Sequence, residues 1–456
     1  MGLLTACTHP EPQDPVAPAP FAGSFSRSGD RTMPDRWWQD FDDAALATLV
    51  DTALDENLSF RATWDRLRQA EATARRAGAP LYPTVNANTS VTASDSGGSQ
   101  SRPGGAQTQL TLGGAANYEI DLWGGLRSSA RAAVLDAQAS RAQVETAAIT
   151  LSAQVARSWY ALVEARARTA LLKEQLQTNR EVLQLIRLRF RQGQASAPDV
   201  LRQEQLVEST QGDLVRTEGD RRLQRHTLAV LLGRTPQSLD LPDRSALVTP
   251  PPLPETGMPA DLIRRRPDLR QAFLRVRAAD ERVSAAIAER YPSLTLNASL
   301  ETTASSTVDL FSGWFANLVS QVAMPLIDGG RRAAETERTR AVLSEALNNY
   351  ENNVLEAVRE VEDALTRERQ QQGVLESLQS QLKLADQVVV QLRRRFTQGA
   401  TDYLDVLNAL TSQQSLERQV LTAKLNVINA RVDLARALAG GWRMERPDSR
   451  VAVREE

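Results

Sequence analysis

The chain is written twice, and no other feature constrains its fold as much. Tyr82-Pro83-Thr84-Val85 returns as Tyr291-Pro292-Ser293-Leu294, and Leu122-Trp123-Gly124-Gly125 as Ile327-Asp328-Gly329-Gly330. Phe190-Arg191-Gln192-Gly193 returns as Phe396-Thr397-Gln398-Gly399, and Leu231-Leu232-Gly233 as Leu438-Ala439-Gly440. The offset stays at about 205–209 residues, so the order and spacing of a whole unit are kept. Solenoid modules repeat every 20–50 residues or so; this unit is far longer. The sequence therefore predicts two structural halves, residues 37–232 and 260–441, arranged around an axis. Residues 233–259 between them hold seven prolines and read as an extended linker.

Each half contains two segments with strand chemistry. Val85, Ala87, Thr89, Val91 and Ala93 alternate with Thr84, Asn86, Asn88, Ser90, Thr92 and Ser94. Leu110, Leu112, Gly114, Ala116, Tyr118 and Ile120 alternate with Gln109, Thr111, Asn117 and Glu119, and Leu294, Leu296, Ala298 and Leu300 with Thr295, Asn297, Ser299 and Glu301. A less regular fourth segment surrounds Leu318–Leu326. Period two means one apolar and one wet face. The expected strands, about 81–94, 108–123, 291–304 and 314–328, have the length of a tilted membrane-spanning strand. Their wet face is Thr, Ser and Asn rather than Lys and Glu, which suits a water-filled lumen. Tyr82, Trp123, Tyr291 and Trp314 lie near strand ends, where amphipathic rings favour a membrane–water interface. Four strands cannot close a barrel, and an open edge cannot sit in lipid. Several copies must share one barrel.

The remaining segments read as helix. From Leu126 to Arg191 there is neither Pro nor Gly, and from Arg331 to Gln398 only Gly373 interrupts. About 66 residues at 1.5 Å each give a helix of roughly 100 Å. Leu375, Leu378, Leu382, Ala385, Val389, Leu392 and Phe396 step by three and four, the period of a coiled-coil seam. Leu172, Leu176, Leu183, Ile186 and Phe190 occupy matching steps in the first half, with Thr169 and Asn179 as polar exceptions. Each long helix ends at a glycine, Gly193 or Gly399, the usual stop signal. Ser196 with Asp199, and Asp402 with Asp405, then read as N-cap and N3 acid of returning helices. The hairpins are expected over 126–232 and 331–440. The fold class is mainly α with a membrane β-barrel, built from an internal two-fold repeat.

Composition excludes several functions. The 54 Lys+Arg against 56 Asp+Glu leave no field that favours nucleic acid. No apolar run is long enough for a membrane-spanning helix. The two histidines, His9 and His226, lie far apart, so neither a catalytic constellation nor a metal site is expected, and no cofactor. Gly124-Gly125 and Gly329-Gly330 lack the spacing and following Lys of a phosphate loop and read as strand-to-helix corners. The single cysteine, Cys7, removes disulfides. Leu4-Thr5-Ala6-Cys7 resembles a lipobox, which makes Cys7 a lipidated first residue and residues 1–36 a Pro-rich tether. Six residues before Cys7 are too few for a signal peptide, which places the expected start upstream. Residues 442–456 read as a C-terminal tail.

Trp37-Trp38-Gln39-Asp40-Phe41-Asp42-Asp43 and Ala53-Leu54-Asp55-Glu56-Asn57-Leu58 resemble the opening of the outer membrane factors, the TolC-like efflux ducts. So do Arg264-Arg265-Arg266-Pro267-Asp268-Leu269-Arg270, Tyr118-Glu119-Ile120-Asp121-Leu122-Trp123-Gly124 and the two glycine-containing tips. With the lipobox, the chain is most similar to the lipoprotein branch of OprM- and NodT-type ducts. The resemblance implies a homotrimer with one twelve-stranded outer-membrane barrel and a periplasmic α-barrel. It also implies a periplasmic adaptor and an inner-membrane pump of the resistance–nodulation–division type, which supplies the energy for passive conduction through the duct.

By the same resemblance the helix reversals form the closed periplasmic end. Asp199, Asp402, Leu404, Asp405 and Asn408 are the candidate gate residues, although helix capping alone accounts for the aspartates. Relatives often place an acid one turn beyond Leu404 followed by a base; the aligned positions here are Asn408 and Thr411. Gly193, Ser196, Gly399 and Tyr403 are the candidate adaptor-docking positions. Two alternatives stay open: a protein-secretion duct of the same fold, and a lipid-anchored periplasmic coiled-coil scaffold with no channel.

Overall fold

A computed structural model describes residues 23–94, 107–238, 240–442 and 444. Cys7 and the loop between the first two strands lie outside the described residues. Eight α-helices and four strands make up the regular structure among the described residues. In chain order these are α1 (Ala44–Glu56), α2 (Leu58–Gly78), β1 (Thr84–Ser94), β2 (Gln107–Ile120), α3 (Gly125–Arg191) and α4 (Ala197–Leu231). Then come α5 (Pro259–Arg265), α6 (Pro267–Ala288), β3 (Ser293–Ala304), β4 (Phe315–Ala323), α7 (Arg331–Thr397) and α8 (Tyr403–Leu438). The duplication is visible in lengths: α3 and α7 are each 67 residues, and α4 and α8 are 35 and 36. No described helix is long and apolar enough to cross a membrane.

The strands form one antiparallel sheet in the order β1-β2-β3-β4. Prolines trim its ends. Pro83 and Pro292 precede β1 and β3, and β4 stops at Ala323, short of the expected 328, two residues before Pro325. Proline has no N–H to give a ladder, so it sits outside or at strand ends. Carboxylates start the long helices after these turns. Asp121 accepts from the Leu126 and Arg127 amides at 3.1 and 3.0 Å, and Asp328 from the Gly330 and Arg332 amides at 3.0 and 3.3 Å. Gly124, Gly329 and Gly330 hold φ of +76°, +64° and +86°, which side chains disfavour.

The chain divides into two compact units. One contains Arg66–Arg141 and Arg270–Asn353; the other contains Ala142–Leu269 and Val354 onward, with the helices up to Asp65. In the second unit the Trp37–Phe41 segment forms an aromatic core. Trp37 meets Trp38 and Phe41 edge-on at 6.0 and 5.9 Å, and Trp38 meets Trp442 at 5.2 Å. Trp37 Nε1 donates to Ser152 Oγ, and Trp159 Nε1 to the buried Asp43 carboxylate, which also caps α1 and pairs with Arg244 at 3.0 Å.

That last contact belongs to the Pro-rich linker, which is extended but clipped along its length. Arg166 donates to the Pro242 carbonyl at 2.6 Å, Arg431 donates to the Pro251 and Pro252 carbonyls while pairing with buried Glu368, and Gly29 N–H donates to the Pro254 carbonyl. Prolines free the linker of amides that would need partners, and arginines occupy its carbonyls.

Candidate conducting face and helix tips

The register of the sheet brings the alternating residues into line across all four strands. Asn88 faces Gly113, which faces Glu301, which faces Phe315. Thr84, Asn117, Asn297 and Val319 share another row, and the Asn117 amide donates to the Asn297 carboxamide oxygen. On the opposite face, Val85, Ala116, Ala298 and Leu318 share a row, as do Ala87, Gly114, Leu300 and Ala316. A single slip of one residue would scatter both faces. Instead one face is mostly neutral-polar, with Glu119, Glu301, Phe315 and Val319 as exceptions, and the other is mostly apolar, with Val85, Val91, Leu318 and Val322 at least two-thirds exposed.

Aromatic residues mark both ends. Tyr82, Trp123 and Tyr291 stand at the end joined to helices; Trp123 stacks on Tyr291 at 4.8 Å and donates Nε1–H to the Pro292 carbonyl at 2.7 Å. Trp314 stands at the opposite end beside Phe311. All four of the expected interface rings are at least 40% exposed. Edges β1 and β4 have no further strand beside them among the described residues.

At the far ends of α3 and α7 the two tips repeat one motif. Gly193 and Gly399 both hold φ of +73°. Gln194 N–H returns to the Arg189 carbonyl and Ala400 N–H to the Arg395 carbonyl, both at 2.8 Å, while the glycine amides bond the Phe190 and Phe396 carbonyls. This is the paired bond pattern of a helix closed by a left-handed glycine.

The restarts differ. Asp199 accepts from the Ser196 backbone amide and hydroxyl, so this pair is a capping arrangement. Asp402 makes no side-chain cap bond at the start of α8; Asp405 instead accepts from the Thr401 hydroxyl at 2.6 Å. Both pairs occupy the expected N-cap and third helical positions, but the capping bonds form at the first tip only, because Asp405 takes the Thr401 hydroxyl one residue before the cap position.

Leu404, Asp405 and Asn408 lie on one exposed face of α8. Tyr403, Val406 and Leu407 face the other way and pack with Ile186 of α3. Tyr403 is therefore interior. Its hydroxyl donates to Gln203 of α4, and burial, with the Asp199 charge nearby, pushes its ionisation well above the ordinary tyrosine range. Behind it runs a buried polar network absent from the sequence reading: Asn179, Gln203, Thr210 and Gln414 connect α3, α4 and α8. In the sequence Asn179 shows only as a polar break in an apolar seam.

The seams themselves are unequally covered. Leu172, Leu176, Leu183 and Ile186 of α3 are buried, but of the α7 seam only Val389 is; Leu375, Leu378, Leu382, Ala385, Leu392 and Phe396 are half-buried within one chain.

An uncovered apolar sheet face behind a neutral-polar one, flanked by aromatic residues and continued by two 67-residue helices, defines a protomer of an outer-membrane channel. The chain belongs to the outer membrane efflux protein family, whose model matches residues 49–234 and 258–440. It is 31% identical to the pyoverdine export outer membrane protein OpmQ of Pseudomonas aeruginosa, over 97% of this chain and 96% of the relative. It is likewise 31% identical to the toluene efflux pump outer membrane protein TtgF of Pseudomonas putida, over 92% and 88% of the two chains. The Neisseria gonorrhoeae MtrE outer membrane channel superposes with a TM-score of 0.86 at 26% identity, covering 96% of this chain and 98% of that one. This chain is an outer-membrane efflux channel.

Proposed function

We propose that three copies close one twelve-stranded barrel and serve as the passive exit duct of a tripartite efflux pump. The observation that carries this reading is the sheet: one polar face, one lipid-compatible face, and two unpaired edges. Unpaired strand edges are untenable in hydrocarbon, so neighbouring copies pair β1 with β4. The half-buried α7 seam has the same remedy, a helix from the next copy.

In this arrangement the polar face lines the lumen, and the helices hang into the periplasm. Asp199, Asp402, Leu404, Asp405 and Asn408 ring its closed end, with the exposed α8 stripe nearest the axis. Gly193, Ser196 and Gly399 receive the hairpin of a periplasmic adaptor, since no side chain stands over either glycine. Tyr403 acts from inside, by holding the tip together. An inner-membrane pump of the resistance–nodulation–division type supplies the energy, and a lipid on Cys7 adds an anchor. Cargo is small molecules, in keeping with relatives named for pyoverdine export and toluene efflux. Passive conduction of this kind requires neither an enzyme activity nor a cofactor.

Native mass spectrometry of the detergent-extracted protein tests the assembly: a trimer is expected. A monomer or dimer that stays in solution without detergent, once the N-terminal tether is cleaved, would overturn it.

A further inference from the structure

The polar face of the sheet is neutral along nearly its whole extent. Among its described strand residues the charged ones are Glu119 and Glu301, and both are acidic. We propose that these two carboxylates make the barrel select for cations, as two separate belts of fixed negative charge. The proposal rests on the reading of this face as the lumen.

Register places the belts. Glu119 shares a row with Thr295 and Gln321, whereas Glu301 shares a row with Gly113, Asn88 and Phe315. Glu301 lies six residue steps along β3 from Thr295, roughly 20 Å at the rise of a strand. That exceeds the Debye length of about 8 Å at physiological ionic strength, so each belt acts on its own stretch of lumen. Between them lie neutral amides and hydroxyls: Asn117, Asn297 and Ser299. Among the described strand residues no Lys or Arg shares the face; beyond the strand ends Arg332 lines the same cavity as Glu119 and pairs with Asp328 at 3.8 Å.

The Glu301 position is also cleared of obstruction. A Cβ on Gly113 would stand 2.9 Å from the Glu301 Cβ, so glycine is what lets that side chain lie beside its neighbour strand. Three copies place three carboxylates in each belt. Rings of one sign in a narrow, low-dielectric bore concentrate counter-ions and repel co-ions. A permeating amine or metal cation is favoured at both levels, and a free carboxylate or phosphate is disfavoured.

Charged thiol reagents read this potential without requiring the periplasmic end to open. Ser299→Cys places a thiol between the belts, and Ala298→Cys places one on the apolar face. The detergent-extracted full chain is treated with trimethylammonium-ethyl or sulfonatoethyl methanethiosulfonate, with the unsubstituted chain subtracting any signal from Cys7. Rates are normalised to those of a free thiol. The field also shifts the thiol's own ionisation, but that effect is common to both reagents and cancels in their ratio.

The expected result is a several-fold preference for the cationic reagent at Ser299→Cys. The preference should fall toward unity in the Glu119→Gln, Glu301→Gln background, with each single variant intermediate, and should weaken as salt is raised. Equal rates for both reagents, or a preference unchanged by the two Gln substitutions, would overturn cation selection while leaving the lumen reading intact. An unreactive Ser299→Cys beside a reactive Ala298→Cys would reverse the two faces, and the proposal would fall with the lumen reading.

Discussion

Asn179 and Gln414 bond each other in both directions: Asn179 Nδ2 donates to Gln414 Oε1 at 3.2 Å, and Gln414 Nε2 donates to Asn179 Oδ1 at 2.9 Å. Both residues are buried, and they join α3 to α8. A reciprocal carboxamide pair in an apolar seam is formed in one helix register only, so it sets register as well as stability. Asn179 also donates to Thr210, and its carbonyl accepts from Gln203. Replacing Asn179 by Leu strands the Gln414 amide, at a cost of about 1–3 kcal/mol. The paired change Asn179→Leu with Gln414→Leu leaves neither amide orphaned, and its cost should fall clearly below the sum of the singles. Thermal unfolding of the four proteins in detergent completes the cycle; additive losses would mean that the two amides do not act as a pair.

The unequal restarts at the tips separate capping from pore charge. Asp199 is bonded to both donors of Ser196, so Asp199→Ala should cost about 0.5–2 kcal/mol. Asp402 has no such bond, and Asp402→Ala should leave the melting temperature nearly unchanged. Any change that Asp402→Ala makes to single-channel conductance or to antibiotic leakiness is then a pore effect rather than a folding one, whereas Asp405→Ala also removes the acceptor of the Thr401 hydroxyl and is read only where its melting temperature matches the parent's. If conductance and leakiness are both unchanged, the aspartates are not the gate, and the neighbouring Leu404 becomes the residue to vary.

Much of this molecule was legible in its residues, for physical reasons. Strand alternation at Thr84–Ser94 and the glycine stops at Gly193 and Gly399 are local properties, and the duplication let each half check the other. What lay beyond reach depends on register and on residues far apart in the chain. Nothing in the sequence sets Gly113 opposite Glu301, or Gln203 beneath the Tyr403 hydroxyl. Tyr403 follows a tip glycine and so reads as surface, but helical period turns it inward with Val406 and Leu407. Likewise, prolines alone mark residues 233–259 as extended, while the arginines that clip them, Arg166 and Arg431, sit in distant helices.

Gly113 and Gly114 offer a neighbour-controlled test of the register. An added Cβ at Gly113 would stand 2.9 Å from both the Glu301 Cβ and the Leu300 carbonyl oxygen, whereas at Gly114 its nearest neighbour is the Asn86 carbonyl at 3.7 Å. Overpacking of this kind costs about 1–3 kcal/mol. Gly113→Ala should lower the heat resistance of the extracted protein, and Gly114→Ala should leave it near that of the parent. Equal effects at the two positions would show that the β2–β3 pairing is shifted from the register described.

Glu164 provides a test by pH. It is buried on α3, and burial pushes its carboxyl above the ordinary 4.5; Arg168 and the Thr422 hydroxyl pull it partway back, while Asp220 adds to the rise. A carboxyl whose folded pKa exceeds its unfolded one binds its proton more tightly when folded. Its stabilising contribution is therefore complete below about pH 4.5 and is lost as pH rises through the raised folded value. At neutral pH the ionised form bears the full cost of desolvation. Glu164→Gln removes the ionisation and keeps an acceptor for Thr422, so the variant should melt above the parent at neutral pH, by a margin that closes as pH falls toward 4.5. Melting curves of both proteins across that range decide the matter. A parent that gains on the variant as pH rises would mean that attraction to Arg168, 3.7 Å away, outweighs burial at this site.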